Sequence, residues 1–205
     1  MAANIVVRTP VTVTKFHDFT VEDIKGNIIK LEKYAGKVLV IINVASLGND
    51  ASKVFQQMND FQDKFGKRIA VLGFPCNQFH HSEKCDGEEL QMVLRHVRPG
   101  NEFCPVFELF KRVEVNGANA HPVFQYLRES LPLPGDNIHS FVDSSADISW
   151  VPVCRNDIAD NFEKFIVAPN GKPYRRYSSK IQVVNLYNDV QVLLDKFKDH
   201  PSMSA

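Results

Sequence analysis

Val38-Leu39-Val40-Ile41-Ile42 is an unbroken apolar run, and Ile69-Ala70-Val71-Leu72-Gly73-Phe74 is a second. A strand that is apolar at every position has no face to give to water. Both runs therefore call for a sheet covered on its two sides. Between them Gly48-Asn49-Asp50 breaks the pattern, and Asn49 or Asp50 can cap a helix. Val54, Met58, Phe61 and Phe65 then recur at helical spacing, one stripe ending near Phe65. Strand, helix and strand in that order predict a parallel pair joined by a right-handed crossover. In such folds ligands bind beyond the C-terminal end of the strand. Here that place is Ala45-Ser46-Leu47-Gly48-Asn49-Asp50. A helix N-terminus there favours anions and lowers the pKa of a thiol. A redox enzyme of this architecture would put a cysteine or selenocysteine at this spot, and this chain has Gly48.

The remaining segments fill in the architecture. Residues 1–15 alternate weakly and predict an edge hairpin around Pro10. Ile24-Lys25-Gly26-Asn27-Ile28 reads as a turn between short strands. Residues 86–97 suit a helix with Leu90, Val93, Leu94 and Val97 on one side. Phe107–Phe110 is ambiguous between helix and strand, Pro122–Leu131 suits a helix, and 132–152 reads as irregular. Phe165-Ile166-Val167 predicts a strand, and Asn170-Gly171 a hairpin turn into Tyr174–Tyr177. Leu186, Val190, Leu193, Leu194 and Phe197 predict a closing amphipathic helix, with 199–205 as a frayed tail. The expected fold class is α/β, a mixed central sheet with helices on both faces.

Composition narrows the function classes. A length of 205 residues is what one domain with one insertion needs, at about 150 residues per domain. Lys+Arg and Asp+Glu balance at 24 each, which removes the footprint of a general nucleic-acid binder. No run approaches the ~18 apolar residues of a membrane span, and Met1-Ala2-Ala3-Asn4 lacks the features of a signal peptide. The expected location is cytoplasmic. Cys76, Cys85, Cys104 and Cys154 form no CxxC pair and read as free thiols.

Longer motifs carry a family resemblance. Asn43-Val44-Ala45-Ser46-Leu47, Gly73-Phe74-Pro75-Cys76-Asn77-Gln78-Phe79, Ala120-His121-Pro122, Arg155-Asn156-Asp157-Ile158 and Asn161-Phe162-Glu163-Lys164-Phe165 resemble the glutathione peroxidases, over about residues 16–198. The resemblance implies a thioredoxin-like fold and reduction of hydroperoxides by glutathione. The segment 117–153 resembles the insertion of the tetrameric, glutathione-specific branch, which implies a homotetramer.

The resemblance also implies a catalytic tetrad of selenocysteine or cysteine, Gln, Trp and Asn. Carried onto this chain, these fall on Gly48, Ser82, Asp160 and Asn161, so that only Asn161 is retained. Gly48 has no atom to accept oxygen from a peroxide. Ser82 is too short to reach the old nucleophile position directly. Asp160 replaces an indole donor with a carboxylate that would raise the pKa of a neighbouring selenolate. Two explanations of Gly48 stand: a loss of peroxidase chemistry, or a glycine written where the native gene encodes selenocysteine. Only the first also accounts for Ser82 and Asp160. Removing a side chain at 48 and an indole at 160 is expected to enlarge the pocket, which opens a third possibility, a new ligand or reaction using Asp160.

The family's glutathione-binding arginine positions fall on Lys53, Arg98, Ser179 and Lys180. Charge is partly kept: Arg98 retains the arginine, Lys53 and Lys180 lack its bidentate fork, and Ser179 has lost the charge altogether. Glutathione or another small anion is the expected partner, with no nucleic acid, no membrane and no cofactor. Arg175 and Arg176 match the family and have a structural role as one alternative; with Lys180 they form a local basic cluster, either an anion site or a solvated strand end. His80-His81-Ser82-Glu83-Lys84-Cys85-Asp86 gathers metal-capable residues at a spacing that matches no standard site, and no metal is expected. Cys85 is a candidate redox thiol if it opens the next helix. Cys76 is expected to be buried and inert. Trp150 is expected to serve packing.

Overall fold

A computed structural model describes residues 15–139, 141–142 and 148–198. The hairpin expected over residues 1–15 lies almost wholly outside the described residues, and the tail 199–205 does so entirely. β1 (Thr20–Glu22) and β2 (Ile28–Lys30) form a small antiparallel pair around the Gly26 turn. The central sheet consists of β3 (Val38–Val44), β4 (Ile69–Pro75), β5 (Glu108–Leu109), β6 (Lys164–Val167) and β7 (Pro173–Tyr177), in the order β5-β4-β3-β6-β7. β3 runs parallel to β4, and β4 to β5, whereas β6 and β7 are antiparallel. The ambiguous segment at 107–110 thus resolves as an edge strand.

Alternation along β3 divides the core in two, because successive side chains of a strand point to opposite faces. Val38, Val40, Ile42 and Val44 pack with α1 (Ala51–Phe65), α2 (Gly87–His96) and α4 (Tyr187–Lys196). Leu39 and Ile41 pack with α3 (Pro122–Ser130), Phe16, Leu31, Tyr34 and Phe74. Every residue of β3 and β4 is buried, as the unbroken apolar runs require. The mixed sheet with helices on both faces is that of a thioredoxin-like fold.

Helix ends follow local chemistry, with two departures. Asp86 caps α2 by accepting from Gly87 N, and His121 Nδ1 caps α3 by accepting from Val123 N, ahead of Pro122. Asp50 occupies the N-cap of α1, yet its carboxylate accepts no cap hydrogen bond. Val97 does not join the buried stripe of α2. It lies just past the helix and is 67% exposed.

Two buried ion pairs brace the segment after α3. Arg176 Nε donates to Glu163 Oε2 at 2.7 Å, and the rest of its guanidinium donates to the carbonyls of Leu131, Pro132, Asn156 and Asp157. Arg128 pairs with Asp157, which also accepts from Trp150 Nε1 at 2.9 Å and Cys154 N at 2.8 Å. Arg176 is therefore a structural brace and no part of a basic patch. Arg175 faces Asp189 at 3.2 Å, so the cluster expected from Arg175, Arg176 and Lys180 dissolves. Burial of one cation and pairing of another leave Lys180 apart.

Candidate functional site

β3 ends at Val44, and the chain crosses from there to α1 through Ala45–Asp50. A cavity of about 660 Å³ opens at this crossing. Leu47–Asp50, Lys53, Val54 and Gln57 line one side, and Ser82, His80 and Asp160–Phe162 a second. Lys164 with Ser179–Gln182 closes the third. The structure thus gathers seven of the eight expected site residues around one space: Gly48, Lys53, Ser82, Asp160, Asn161, Ser179 and Lys180.

Arg98 is the exception. It does not line the cavity, and its guanidinium donates to the carbonyls of Leu47 at 3.3 Å and Asn49 at 3.4 Å. It holds the crossing loop from behind.

Position 48 is filled from the side. A Cβ placed on Gly48 would lie 2.9 Å from Phe162 Cε2 and 3.3 Å from the Ala45 carbonyl oxygen. The expected enlargement at this corner is therefore absent, because the Phe162 ring occupies the space that a side chain would take. Phe162 itself has φ +67°, a left-handed conformation unusual for a bulky residue. Two contacts from β3 fix it there. Phe162 N donates to the Asn43 carbonyl at 2.7 Å, and Asn43 Nδ2 donates to the Asp160 carbonyl at 3.0 Å.

The polar corner is closely connected. Asn161 Nδ2 donates to Ser82 Oγ at 2.9 Å, and Ser82 Oγ donates to the Phe79 carbonyl at 3.0 Å. Asp160 Oδ1 accepts from Asn161 N at 2.7 Å and lies 3.7 Å from His80 Nε2. Among the described residues, Asn161 Oδ1 and Asn43 Oδ1 are buried with no hydrogen-bond donor. A buried acceptor without a donor costs ~1–3 kcal/mol.

His80 and His81 both adopt left-handed backbone conformations, at φ +52° and +48°. This sharp turn brings the Ser82 carbonyl to Leu47 N at 3.0 Å. Below the loop the buried Glu83 carboxylate accepts from Ser46 N at 2.7 Å and Ser46 Oγ at 2.9 Å. Burial pushes the Glu83 pKa up, against the lowering by those same hydrogen bonds. Among the described residues no three metal-capable side chains come together.

The thiols stand outside this space. Cys76 is buried, and burial raises its pKa to about 12. Cys85 does precede α2, but desolvation together with Glu89 and Glu83 raises its pKa. That is the opposite of the lowering expected for a thiol at a helix start. Cys104 and Cys154 are exposed, and none of the four lines the cavity. Trp150 is buried edge-on against Phe79, a packing contact.

Lys164 is a site residue that pattern reading passed over. It is 1% exposed, yet it reaches the cavity wall. The only sequence signal was a cation opening a buried apolar strand, Lys164-Phe165-Ile166-Val167. Glu83 had no signal that set it apart from the other polar residues of its loop.

A profile of glutathione peroxidase matches residues 16–128. The chain belongs to the glutathione peroxidase family. It is 44% identical over 179 residues to glutathione peroxidase 2 of Sapajus apella, covering 87% of this chain and 94% of that one. It is 48% identical over 172 residues to glutathione peroxidase 1 of Pongo pygmaeus, covering 83% and 86%. The fold matches the crystal structure of Trgpx in apo form with a TM-score of 0.62 at 22% identity, over 90% of this chain and 98% of that one. It also matches T. cruzi GPX1 with a TM-score of 0.60 at 24% identity, over 89% and 97%. In this glutathione peroxidase homologue the frame is in place, and the cavity presents glycine, serine and aspartate where the family resemblance implies a chalcogen, glutamine and tryptophan.

Proposed function

We propose that this glutathione peroxidase homologue does not reduce peroxides and instead binds a small anion, glutathione or a relative of it, in the cavity beside α1. Gly48 carries the reading. Peroxide reduction needs a thiolate or selenolate to attack the O–O bond and take up oxygen. Position 48 offers no side chain, and no cysteine lines the cavity. Asp160 would oppose a neighbouring anionic nucleophile. Lys53 and Lys180 supply the positive wall that an anion requires. Assembly as a homotetramer in the cytoplasm belongs to the same reading, and exposed Ile138, Phe141, Val151 and Val153 in the 117–153 segment offer apolar surface for a contact between copies.

The deciding experiment is glutathione-coupled turnover of hydrogen peroxide by protein from its native source, with calorimetric titration of glutathione alongside. The expected result is turnover no faster than with free thiols, together with saturable binding. Faster turnover, or a UGA codon at position 48 in the native message, overturns the reading in favour of a selenoperoxidase. Light scattering checks assembly separately, and a monomer contradicts the tetramer.

A further inference from the structure

The cavity wall that carries Ser179 and Lys180 is a loop with little secondary structure of its own. It lies between β7 and a short 3-10 turn, Val183–Leu186. What gives it a shape is Lys164. The Lys164 ammonium donates to the carbonyls of Ser178 at 3.4 Å, Ser179 at 3.1 Å and Ile181. An ammonium has three N–H groups, and all three are directed into this one loop. The other side of the same loop is held by a carboxylate. Asp136 Oδ1 accepts from Ser178 N at 2.8 Å, and Asp136 Oδ2 accepts from Ser178 Oγ. Ser178 is thus gripped on its carbonyl by a cation and on its N–H and hydroxyl by an anion. These are charge-assisted hydrogen bonds, stronger than neutral ones.

We propose that Lys164 is the positioning residue of the cationic wall: working against Asp136 across Ser178, its ammonium holds the loop that presents Ser179 and Lys180 to the bound anion. Its ligand consequence rests on the anion-binding reading above. The clamp itself rests on the hydrogen bonds. It differs from a generic buried lysine in where its bonds end, since every one falls on the loop that lines the cavity.

The clamp depends on the ammonium keeping its third proton. Burial draws the Lys164 pKa down to about 8, against the raising effects of Glu163, Asp136 and Asp50. Glu163 is itself committed to Arg176. On the flanking strands Lys164 faces Ile42 of β3 and Tyr177 of β7. Above pH 8 the neutral amine has two N–H groups for three carbonyls and no charge to oppose Asp136. The loop then loosens, and its grip on an anion weakens as pH rises from 7 to 9.

The test uses the full chain and N-acetyl-S-methylglutathione, an anion with no group of its own titrating between pH 7 and 9. The expected dissociation constant rises about 10-fold from pH 7 to pH 9 in the wild type, equivalent to ~1.4 kcal/mol. Lys164→Met is expected to bind weakly already at pH 7, with a flat profile. Asp136→Asn keeps the lysine, and its expected result is a smaller loss with the pH dependence retained. Amide hydrogen exchange over residues 178–182 at pH 7 reads the clamp without any ligand, and faster exchange in both variants is expected. Unchanged exchange in both variants, or an unaltered pH profile in Lys164→Met, overturns the proposal. If the wild type binds no anion, the binding reading fails and the exchange data alone decide the clamp.

Discussion

The brace around Arg176 and the corner around Gly48 meet at one short stretch of chain, Asp160–Glu163, and treat charge differently. At the brace each charge is matched. Arg176 serves one carboxylate and four carbonyls, and Asp157 takes Arg128, Trp150 Nε1 and Cys154 N. At the corner, among the described residues, Asn161 Oδ1 and Asn43 Oδ1 have no donor, and position 48 has no side chain at all. The difference separates what the fold requires from what a peroxidase reaction would require. In the segment after α3 each buried guanidinium meets a buried carboxylate, Arg176 with Glu163 and Arg128 with Asp157. Beside position 48, among the described residues, two buried amide oxygens stay without a donor while the sheet around them is intact.

Breaking the brace should have the largest effect. Arg176→Met leaves Glu163 buried and uncompensated, and is expected to cost about 3–5 kcal/mol in denaturant unfolding. Adding Glu163→Leu to that variant should restore part of the loss, because the stranded charge is then gone. A double variant no more stable than the single would break the comparison at its stronger end.

An intermediate effect is expected at the α3 cap. Burial holds the His121 pKa below its ordinary 6.5, with Glu22 opposing. The unfolded chain therefore takes up its proton first. The stability contributed by the neutral imidazole is complete above about pH 6.5 and is lost as pH falls below that, until the folded imidazole protonates too. His17 shifts in the same direction, also through burial. His121→Asn keeps a capping acceptor that does not titrate, and should flatten the fall in stability between pH 7 and 5 by on the order of 1 kcal/mol. An identical slope in the variant would remove His121 from the account.

The smallest change belongs to the corner. Asp160→Asn should alter unfolding stability by less than ~0.5 kcal/mol, since its side chain is 46% exposed and its backbone carbonyl contact with Asn43 remains. A loss as large as that at Arg176 would show that the corner is part of the frame after all.

Much of this molecule is legible in its sequence, for physical reasons that differ by region. β3 and β4 were readable because a strand covered on both faces must be apolar at each position. α1 was readable from its stripe of Val54, Met58, Phe61 and Phe65, which all face the core. The site was readable as a place, since seven of its eight expected residues line one cavity. Three things were hidden. The choice between surface and structural roles for Arg176 stays open in the sequence, which does not reveal that Glu163, just before β6, reaches its guanidinium while Phe165 is its partner in the ladder. Phe162 filling position 48 depends on a left-handed backbone that only tertiary contacts from Asn43 impose. Lys164 hides because its three partners are backbone carbonyls, which have no letter in a sequence.

Ser178 joins two parts of the chain mechanically. Asp136 belongs to the segment after α3, and that segment is also fastened by Gly135 N donating to the Arg176 carbonyl at 2.8 Å. On its other side Ser178 leads directly into Ser179 and Lys180 at the cavity. The loop that lines the cavity and residues 135–136 are thus joined by direct hydrogen bonds through Ser178 and Arg176, so loosening either one leaves the other with one anchor fewer.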